Sequence, residues 1–303
     1  MKITVIGSGA MGSLFGALLA ETGQPVTLLD VRRDHVEAVN TEGLAIEKEG
    51  SRRRVRIQAA SDPDSIGPAD LCIVFVKSTH TTAAARTAAR LCGDRSMVLT
   101  LQNGMGNADT LAEALAPDRV IAGTTSHGAT FLGPGSIRHA GSGETVIGPW
   151  STAGVAGVKA VTEAFNYAGI AKWVVSDVRH VMWAKLLINV GINAVTALTG
   201  IRNGQLLDLE QTRRLSREAV EEALAVAGTQ GIAIEGDPVE KVFSVAAATA
   251  ANRSSMGQDV DHGRTTEIGA INGFIVRMAE QAGVPVPVNR ALTALVETMQ
   301  AHF

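Results

Sequence analysis

The sequence predicts an α/β domain followed by an all-α domain, and three observations carry that reading. Short β-branched runs alternate with helix-length patterns over the first 175 or so residues. A glycine motif, GSGAMG at Gly7–Gly12, stands between the first run and the first helix. After about Asp177 the strand patterns stop and helical patterns follow one another to Phe303. Strand–helix alternation implies right-handed crossovers and a parallel sheet. The α/β domain is therefore placed at residues 1–176 and the helical domain at residues 177–303.

Taken in order, KITVIG (Lys2–Gly7) is a strand, Met11–Thr22 a helix ended near Gly23, and PVTLLD (Pro25–Asp30) a second strand. Gly43–Ile57 reads as a hairpin. DLCIVFVK (Asp70–Lys77) and SMVLTLQN (Ser96–Asn103) are continuous apolar runs, the pattern of strands buried on both faces. A helical pattern from about Thr81 to Leu91 separates them. Residues 119–149 are rich in Gly, Thr and Ser, and antiparallel or edge strands are expected there. The second domain carries helical patterns at Val178–Leu198, Leu206–Gly231, Pro238–Ala251, Thr266–Gly283 and Pro287–Phe303.

Composition narrows the function classes. The chain is 46% hydrophobic and 19% charged, enough apolar material for two cores. Its formal net charge of −3 gives no electrostatic case for nucleic acid or an acidic membrane. The basic run Arg52–Arg54 is expected to be solvated. Cys72 and Cys92 lack metal-ligand spacing and read as reduced packing residues of a cytosolic protein, with no metal site. Gly7, Gly9, Gly12 and Gly16 interrupt the N-terminal stretch that otherwise mimics a signal peptide. No apolar run of ~18 residues points to a membrane span.

GSGAMG is G-x-G-x-x-G directly after a strand and opening a helix, the context that a Rossmann-type dinucleotide site requires. Gly7 allows the tight turn, Gly9 lets backbone approach a pyrophosphate, and Gly12 lets helix and strand pack closely. The pyrophosphate then lies at the positive helix N-terminus, against the loop Gly7, Gly9, Ala10, Met11 and Gly12. Asp30 closes the second strand, where an acidic residue would bind ribose hydroxyls and repel a 2′-phosphate. That favours NAD(H). Arg32 and Arg33 follow at once, and an arginine there could hold a 2′-phosphate instead. Lys77, Ser78, Asn103 and Gly104 lie beyond the ends of the third and fourth strands, where open α/β sheets bind ligands. Ordinary loop chemistry is the alternative for each of them.

KLLINVGIN (Lys185–Asn193) is an oily run that carries Lys185, Asn189 and Asn193 four residues apart. On a helix these share one face. A buried ammonium without a partner is costly, so the stripe suits a cleft wall with the lysine facing an anion or a developing negative charge. The alternative is a solvated face with no role. Downstream, SSMGQDV and HGRTTEIGAING form a second polar cluster. Glu267, at the start of an expected helix, either stabilises the helix dipole or supplies a carboxylate facing Lys185 across a domain cleft.

The segments GSGAMGS, VKS, LQNGMGN, GTTSHGAT, WAKLLINVGINAVTALTGIRNG, SSMGQD and TEI…NGF occur in the order seen in the ketopantoate reductase (2-dehydropantoate 2-reductase) family. The resemblance spans nearly the whole chain, and its later segments are far more specific than the glycine motif. It implies reduction of 2-dehydropantoate to (R)-pantoate on the pantothenate and coenzyme A route, usually with NADPH. It also implies that Lys185 is the general acid, with Glu267 its catalytic partner. By the same resemblance Asn189, Asn193, Asn203 and Ser255 contact substrate. Lys77 and Asn103 match cofactor- and substrate-proximal positions of the nucleotide domain.

One departure concerns the cofactor. NADPH-using members carry an arginine just after the second strand, where a direct count puts Val31 after Asp30. A one-residue insertion would bring Arg32 into register. NAD-preferring relatives include reductases of other bulky, branched or aromatic 2-oxo acids, so both cofactor and substrate keep an alternative. A β-hydroxyacid dehydrogenase shares the architecture but shows a D-x-P-V-S-G-G loop where this chain has GTTSHGATF. A non-catalytic dinucleotide sensor would keep the glycines without needing Lys185 and Glu267. A structural helical domain would use KLLIN as plain core. Apolar helical faces of this sort associate, which allows a homodimer.

Overall fold

Ile3–Ile6 (β1) is buried on both faces, as a strand must be when a parallel sheet is covered on two sides. A computed structural model describes residues 1–170 and 173–303. Two compact units result. The first comprises Met1–Gln102 and Asn107–Val178, and the second Asn103–Gly106 and Arg179–Phe303.

In the first unit β1 leads into Ala10–Ala20 (α1), Val26–Leu29 (β2) and Arg33–Glu42 (α2). Leu44–Lys48 (β3), Ser51–Val55 (β4) and Gln58–Ala60 (β5) follow, then Ala69–Val74 (β6), Thr81–Leu91 (α3) and Cys92–Thr100 (β7). Asn107–Leu115 (α4), Val120–Thr125 (β8), Gly128–Gly133 (β9), Ser136–Gly141 (β10), Thr145–Pro149 (β11), Val155–Tyr167 (α5) and Trp173–Val174 (β12) complete it.

The main sheet has eight strands in the order β12-β11-β8-β7-β6-β1-β2-β5. Pairing is parallel from β5 through β8. Among the described residues β11 pairs antiparallel with β8, and β12 runs parallel to β11. A second sheet, β4-β3-β10-β9, contains the expected hairpin as β3–β4. It also contains a parallel β3–β10 pair that joins residues some 90 positions apart. The α1 helix lies against β2 on one side and β9 and β10 on the other. That explains its apolar character all round: Leu14, Phe15, Ala17 and Leu19 are each fully buried. Burying each of the three larger side chains is worth roughly 1.5–3 kcal/mol.

Arg53, in the basic run, spans to Glu21 through two bonds of 2.8 and 3.1 Å, and Arg54 pairs with Glu42. Cys72 and Cys92 stand on neighbouring strands β6 and β7 as free thiols with their sulfurs 3.5 Å apart. Among the described residues no group of three metal-ligating side chains occurs.

The second unit is built on Val178–Thr199 (α6), followed by Glu210–Thr229 (α7), Pro238–Ala248 (α8), Ser255–Asp261 (α9), Asn272–Ala282 (α10) and Pro287–Gln300 (α11). Trp183, Leu186, Leu187, Val190 and Val195 of α6 are buried. Gly191 lets two neighbours close in. A Cβ there would lie 2.8 Å from Val242 of α8 and 2.9 Å from Val220 of α7. The Glu222 carboxylate of α7 accepts from the Val288 and Asn289 N–H groups at the start of α11 (2.9 Å each), satisfying orphan donors there.

Three expectations change. The helix expected from Thr266 starts at Asn272, preceded by a 3₁₀ turn at Ile268–Ala270. SSMGQDV contributes a short helix, α9, because the Ser254 hydroxyl caps it by accepting from Gly257 N (3.0 Å). The α6 helix, by length and composition, could cross a membrane, but 67% of its most apolar window is buried within the fold.

Candidate active site

The first unit supplies a cradle. Gly7 has φ +92°, and a Cβ there would meet Val76 at 2.8 Å. A Cβ on Gly12 would sit 1.9 Å from the Gly7 carbonyl oxygen, so only hydrogen fits between helix and strand. Around Gly9 nothing lies within 4 Å of a Cβ position, and Ala10 and Met11 open α1 with no acidic residue in its first turn. Open space at a helix N-terminus with no acidic residue in its first turn fits the diphosphate of a dinucleotide.

Asp30, just past β2, is occupied on both oxygens. Oδ2 accepts from Ser8 N (2.8 Å) and Ser8 Oγ (3.2 Å), while Oδ1 accepts from Arg32 N (3.0 Å) and Nε (3.4 Å). The Arg32 guanidinium stacks over the Phe131 ring at 4.0 Å. Arg33 is exposed. Beneath the loop, His35 is buried and its pKa is lowered by loss of hydration. Its Nδ1 accepts from Gly135 N (3.0 Å), so Nε2 carries the proton toward Ser13 Oγ (3.4 Å). Ser13 Oγ donates in turn to Ser8 O (2.8 Å), which fixes the loop from below.

Lys77 and Ser78 follow β6 and are half-buried. Gln102 ties the ends of β6 and β7 together by donating to Val76 O (2.7 Å) and Thr81 Oγ1 (2.8 Å). Asn103 is placed differently from expectation. The Asn103–Gly106 segment belongs to the helical unit rather than the nucleotide unit. Met105 N donates to Ala270 O (2.8 Å), and a Cβ on Gly104 would meet that oxygen at 2.4 Å. Gly104, at φ +79°, permits this approach because it lacks a side chain.

In the helical unit Lys185, Asn189 and Asn193 share one face of α6. Lys185 is half-buried. Loss of hydration lowers its pKa to about 8, against the opposing pull of the Glu267 carboxylate. Glu267 precedes the Ile268–Ala270 turn and reaches Lys185 from within the same unit, not across a cleft between domains. Asn189 is half-buried, and its Nδ2 is buried with no hydrogen-bond partner among the described residues. Asn193, buried, points its Nδ2 at Ser255 Oγ (3.5 Å). Thr196 Oγ1 holds the neighbouring Ser254 Oγ at 2.7 Å, which seats the start of α9 beside α6.

Asn203 is not gathered into this group. It lies beyond the end of α6, whose last residue, Thr199, is roughly 20 Å along the axis from Lys185 at about 1.5 Å per residue. Asn203 Nδ2 donates to Thr249 Oγ1 (2.9 Å) and its backbone N–H to Asn252 O (3.0 Å). Sequence reasoning missed Ser8 and Phe131. Ser8 sits inside the glycine motif at a variable position, and Phe131 comes from a strand with no local signal of its role.

Comparison with known proteins gives this arrangement a relative. The model of ketopantoate reductase PanE/ApbA matches residues 3–152, and that of its C-terminal domain matches residues 177–300. A 2-dehydropantoate 2-reductase of Halobacterium salinarum is 42% identical over 301 residues, covering 99% of each chain. The chain belongs to the ketopantoate reductase family. Among solved structures, a PanE/ApbA family ketopantoate reductase from Ralstonia eutropha JMP134 superposes with a TM-score of 0.92 at 36% identity, covering 100% of this chain and 99% of that one. A D-mandelate dehydrogenase in ternary complex with NADH and anilino(oxo)acetate superposes at 0.93 with 25% identity, over 100% and 99%. Family membership makes the chain a nicotinamide-dependent reductase, and the two matches fall on the first unit and the second unit respectively.

Proposed function

We propose that the protein reduces 2-dehydropantoate to (R)-pantoate, with Lys185 as the proton donor. The observation that carries this reading is the half-buried Lys185 beside Glu267, with a pKa of about 8, on the same helix face as the donors of Asn189 and Asn193. An acid whose pKa lies near working pH is both protonated and willing to give its proton up. A nicotinamide, when bound, would supply the hydride that C2 of the substrate receives. Lys185 Nζ then stabilises negative charge on the keto oxygen and protonates it, forming the hydroxyl. Glu267 keeps the ammonium charged before that step. The orphan Asn189 amide, Asn193 and the exposed Ser255 hydroxyl are the donors for the substrate carboxylate. Asn103 lies on the segment fixed to the Ala270 carbonyl, and we assign it to the substrate side.

The glycine loop with Ala10 and Met11 is assigned to the diphosphate, and Lys77 to the cofactor's neighbourhood. We propose NADH over NADPH. The Arg32 guanidinium is already neutralised by Asp30, and that carboxylate would repel a 2′-phosphate at the same place. The first unit is taken as the dinucleotide-binding domain and the second as the substrate domain, in a cytosolic biosynthetic enzyme. The test is steady-state oxidation of NADH and NADPH with 2-dehydropantoate, 2-oxoisovalerate and phenylglyoxylate. Fast turnover of 2-dehydropantoate with NADH is expected. Faster turnover of phenylglyoxylate would move the protein to the aromatic 2-oxo acids while leaving the Lys185 chemistry intact.

A further inference from the structure

A cavity of about 550 Å³ opens in the first unit at the far end of α1 from the glycine loop, where Leu18 forms part of its wall. None of the residues assigned to the reaction lines it. Its polar lining comes from Lys48 at the end of β3, Arg53 on β4, His127 after β8, His139 on β10, and Ser142 and Glu144 in the following turn. The two imidazoles stack at 27° with centroids 5.6 Å apart. His127 Nδ1 lies 3.4 Å from His139 Nε2, which in turn lies 3.4 Å from Ser142 Oγ.

We propose that this cavity is a second ligand site, one that takes a small molecule bearing a tetrahedral dianion, a phosphate or sulfate group, through His127, His139, Lys48 and Ser142. Two protonated rings facing each other would oppose two N–H donors at 3.4 Å, so with the protein alone one ring nitrogen must accept. An oxyanion accepts from both rings at once and removes that conflict. His127 Nε2 is a further buried nitrogen, with the Ile170 backbone beside the ring and no side-chain hydrogen-bond partner for Nε2 among the described residues. Arg53 is held by Glu21, and Glu144 has a partner of its own, whereas Lys48 makes no ion pair among the described residues. A dianion offers oxygens and charge for two rings and an ammonium, and a carboxylate does not. The volume exceeds that of a bare ion and suits a small organic molecule carrying the group, with Leu18 and Ile170 as apolar wall.

Occupancy is then linked to protons. Burial lowers the pKa of both rings first. The other ring and Lys48 add to this at His127, against an upward pull from the Ile170 backbone, while Lys48 and Arg53 do so at His139, against upward pulls from the Gly141 backbone and Glu49. Anion binding reverses those electrostatic contributions and takes up protons.

The test uses the full chain, saturated with NADH so that the glycine loop is filled, at constant ionic strength. Calorimetric titrations with sodium sulfate, phenyl phosphate and sodium acetate are run from pH 5.5 to 7.5, and the histidine ring signals are followed by NMR. Sulfate keeps its charge over this range, so its affinity should fall as pH rises, by up to about tenfold per unit for each proton taken up. Acetate should bind at least tenfold more weakly than sulfate. Phenyl phosphate tighter than sulfate identifies an organic phosphate as the ligand, and equal affinity identifies the oxyanion alone. Lys48→Ala and His139→Gln should each abolish the titration and leave turnover without added anion unchanged. Saturable binding that survives both variants, acetate equal to sulfate, or no binding at millimolar anion would each overturn the proposal.

Discussion

Replacing Lys185 by Met separates the chemistry of that residue from its cost to the fold. Holding the ammonium charged in its half-buried place lowers its pKa from 10.5 to about 8. At about 1.4 kcal/mol per pH unit, that is on the order of 3 kcal/mol against the folded state. Partial exposure lets water screen some of it, so ~2 kcal/mol is the expected gain for Lys185→Met, which keeps the stem and drops the charge. The sign follows from proton counts. The folded pKa lies below the unfolded one, so between pH 8 and 10.5 the unfolded chain binds more protons and wild-type stability rises with pH. The advantage of the Met variant is therefore full below pH 8 and shrinks as pH climbs toward 10.5. Urea unfolding followed by circular dichroism at pH 6.5 and 9.5 reads the difference. Turnover in the same variant should fall at least ~10²-fold, the usual worth of a positioned acid. A variant no more stable than wild type at pH 6.5, or an advantage constant across that range, would refute the burial argument.

Three further outcomes are expected. Wild-type turnover should decline above about pH 8 as Lys185 loses its proton, and Glu267→Gln should move that decline to lower pH because Glu267 holds the pKa up; a pH–rate profile of each enzyme decides. Asp30→Ala frees the Arg32 guanidinium and loosens Ser8, so the ratio of kcat/KM for NADPH over NADH should rise at least tenfold; an unchanged ratio would show that Asp30 only braces the loop. Gly12→Ala places a Cβ 1.9 Å from the Gly7 carbonyl oxygen, and an overpacking cost of about 1–3 kcal/mol should appear as a lower melting temperature with a weaker dinucleotide Kd, both read by thermal shift with and without NADH.

The parallel sheet was legible because its strands are continuous apolar runs, and the helical unit because its periodicity changes near Asp177. The stripe on α6 was legible because i, i+4 spacing is a local property of one helix. Long-range partnerships left no such trace. Glu267 lies 82 positions from Lys185, and nothing in either segment encodes their approach within one unit. The pairing of β3 with β10 is set by tertiary packing, and so is the stacking of Arg32 on Phe131. Asn203 is expected among the substrate ligands from its motif alone, and the motif carried no trace of the bonds that hold it: its Nδ2 donates to Thr249 Oγ1 and its backbone N–H to Asn252 O, while its buried Oδ1 has no partner among the described residues. The α9 helix was hidden because SSMGQDVD is largely polar, and its start depends on one capping hydroxyl.

The four residues Asn103–Gly106 have a consequence for how the chain is assembled. The polypeptide leaves the nucleotide unit after Gln102, lends a short segment to the helical unit, returns at Asn107, and leaves again after Val178. No single cut separates the two units. A fragment beginning at Arg179 would lack the Met105 N–H that the Ala270 carbonyl accepts, next to Glu267. During synthesis that segment emerges some 160 residues before the last of the turn it joins, so the helical unit is completed by a piece made long beforehand. Shuffling of such units between proteins is thereby hindered, because a grafted helical unit arrives without the strip that braces the turn after its carboxylate.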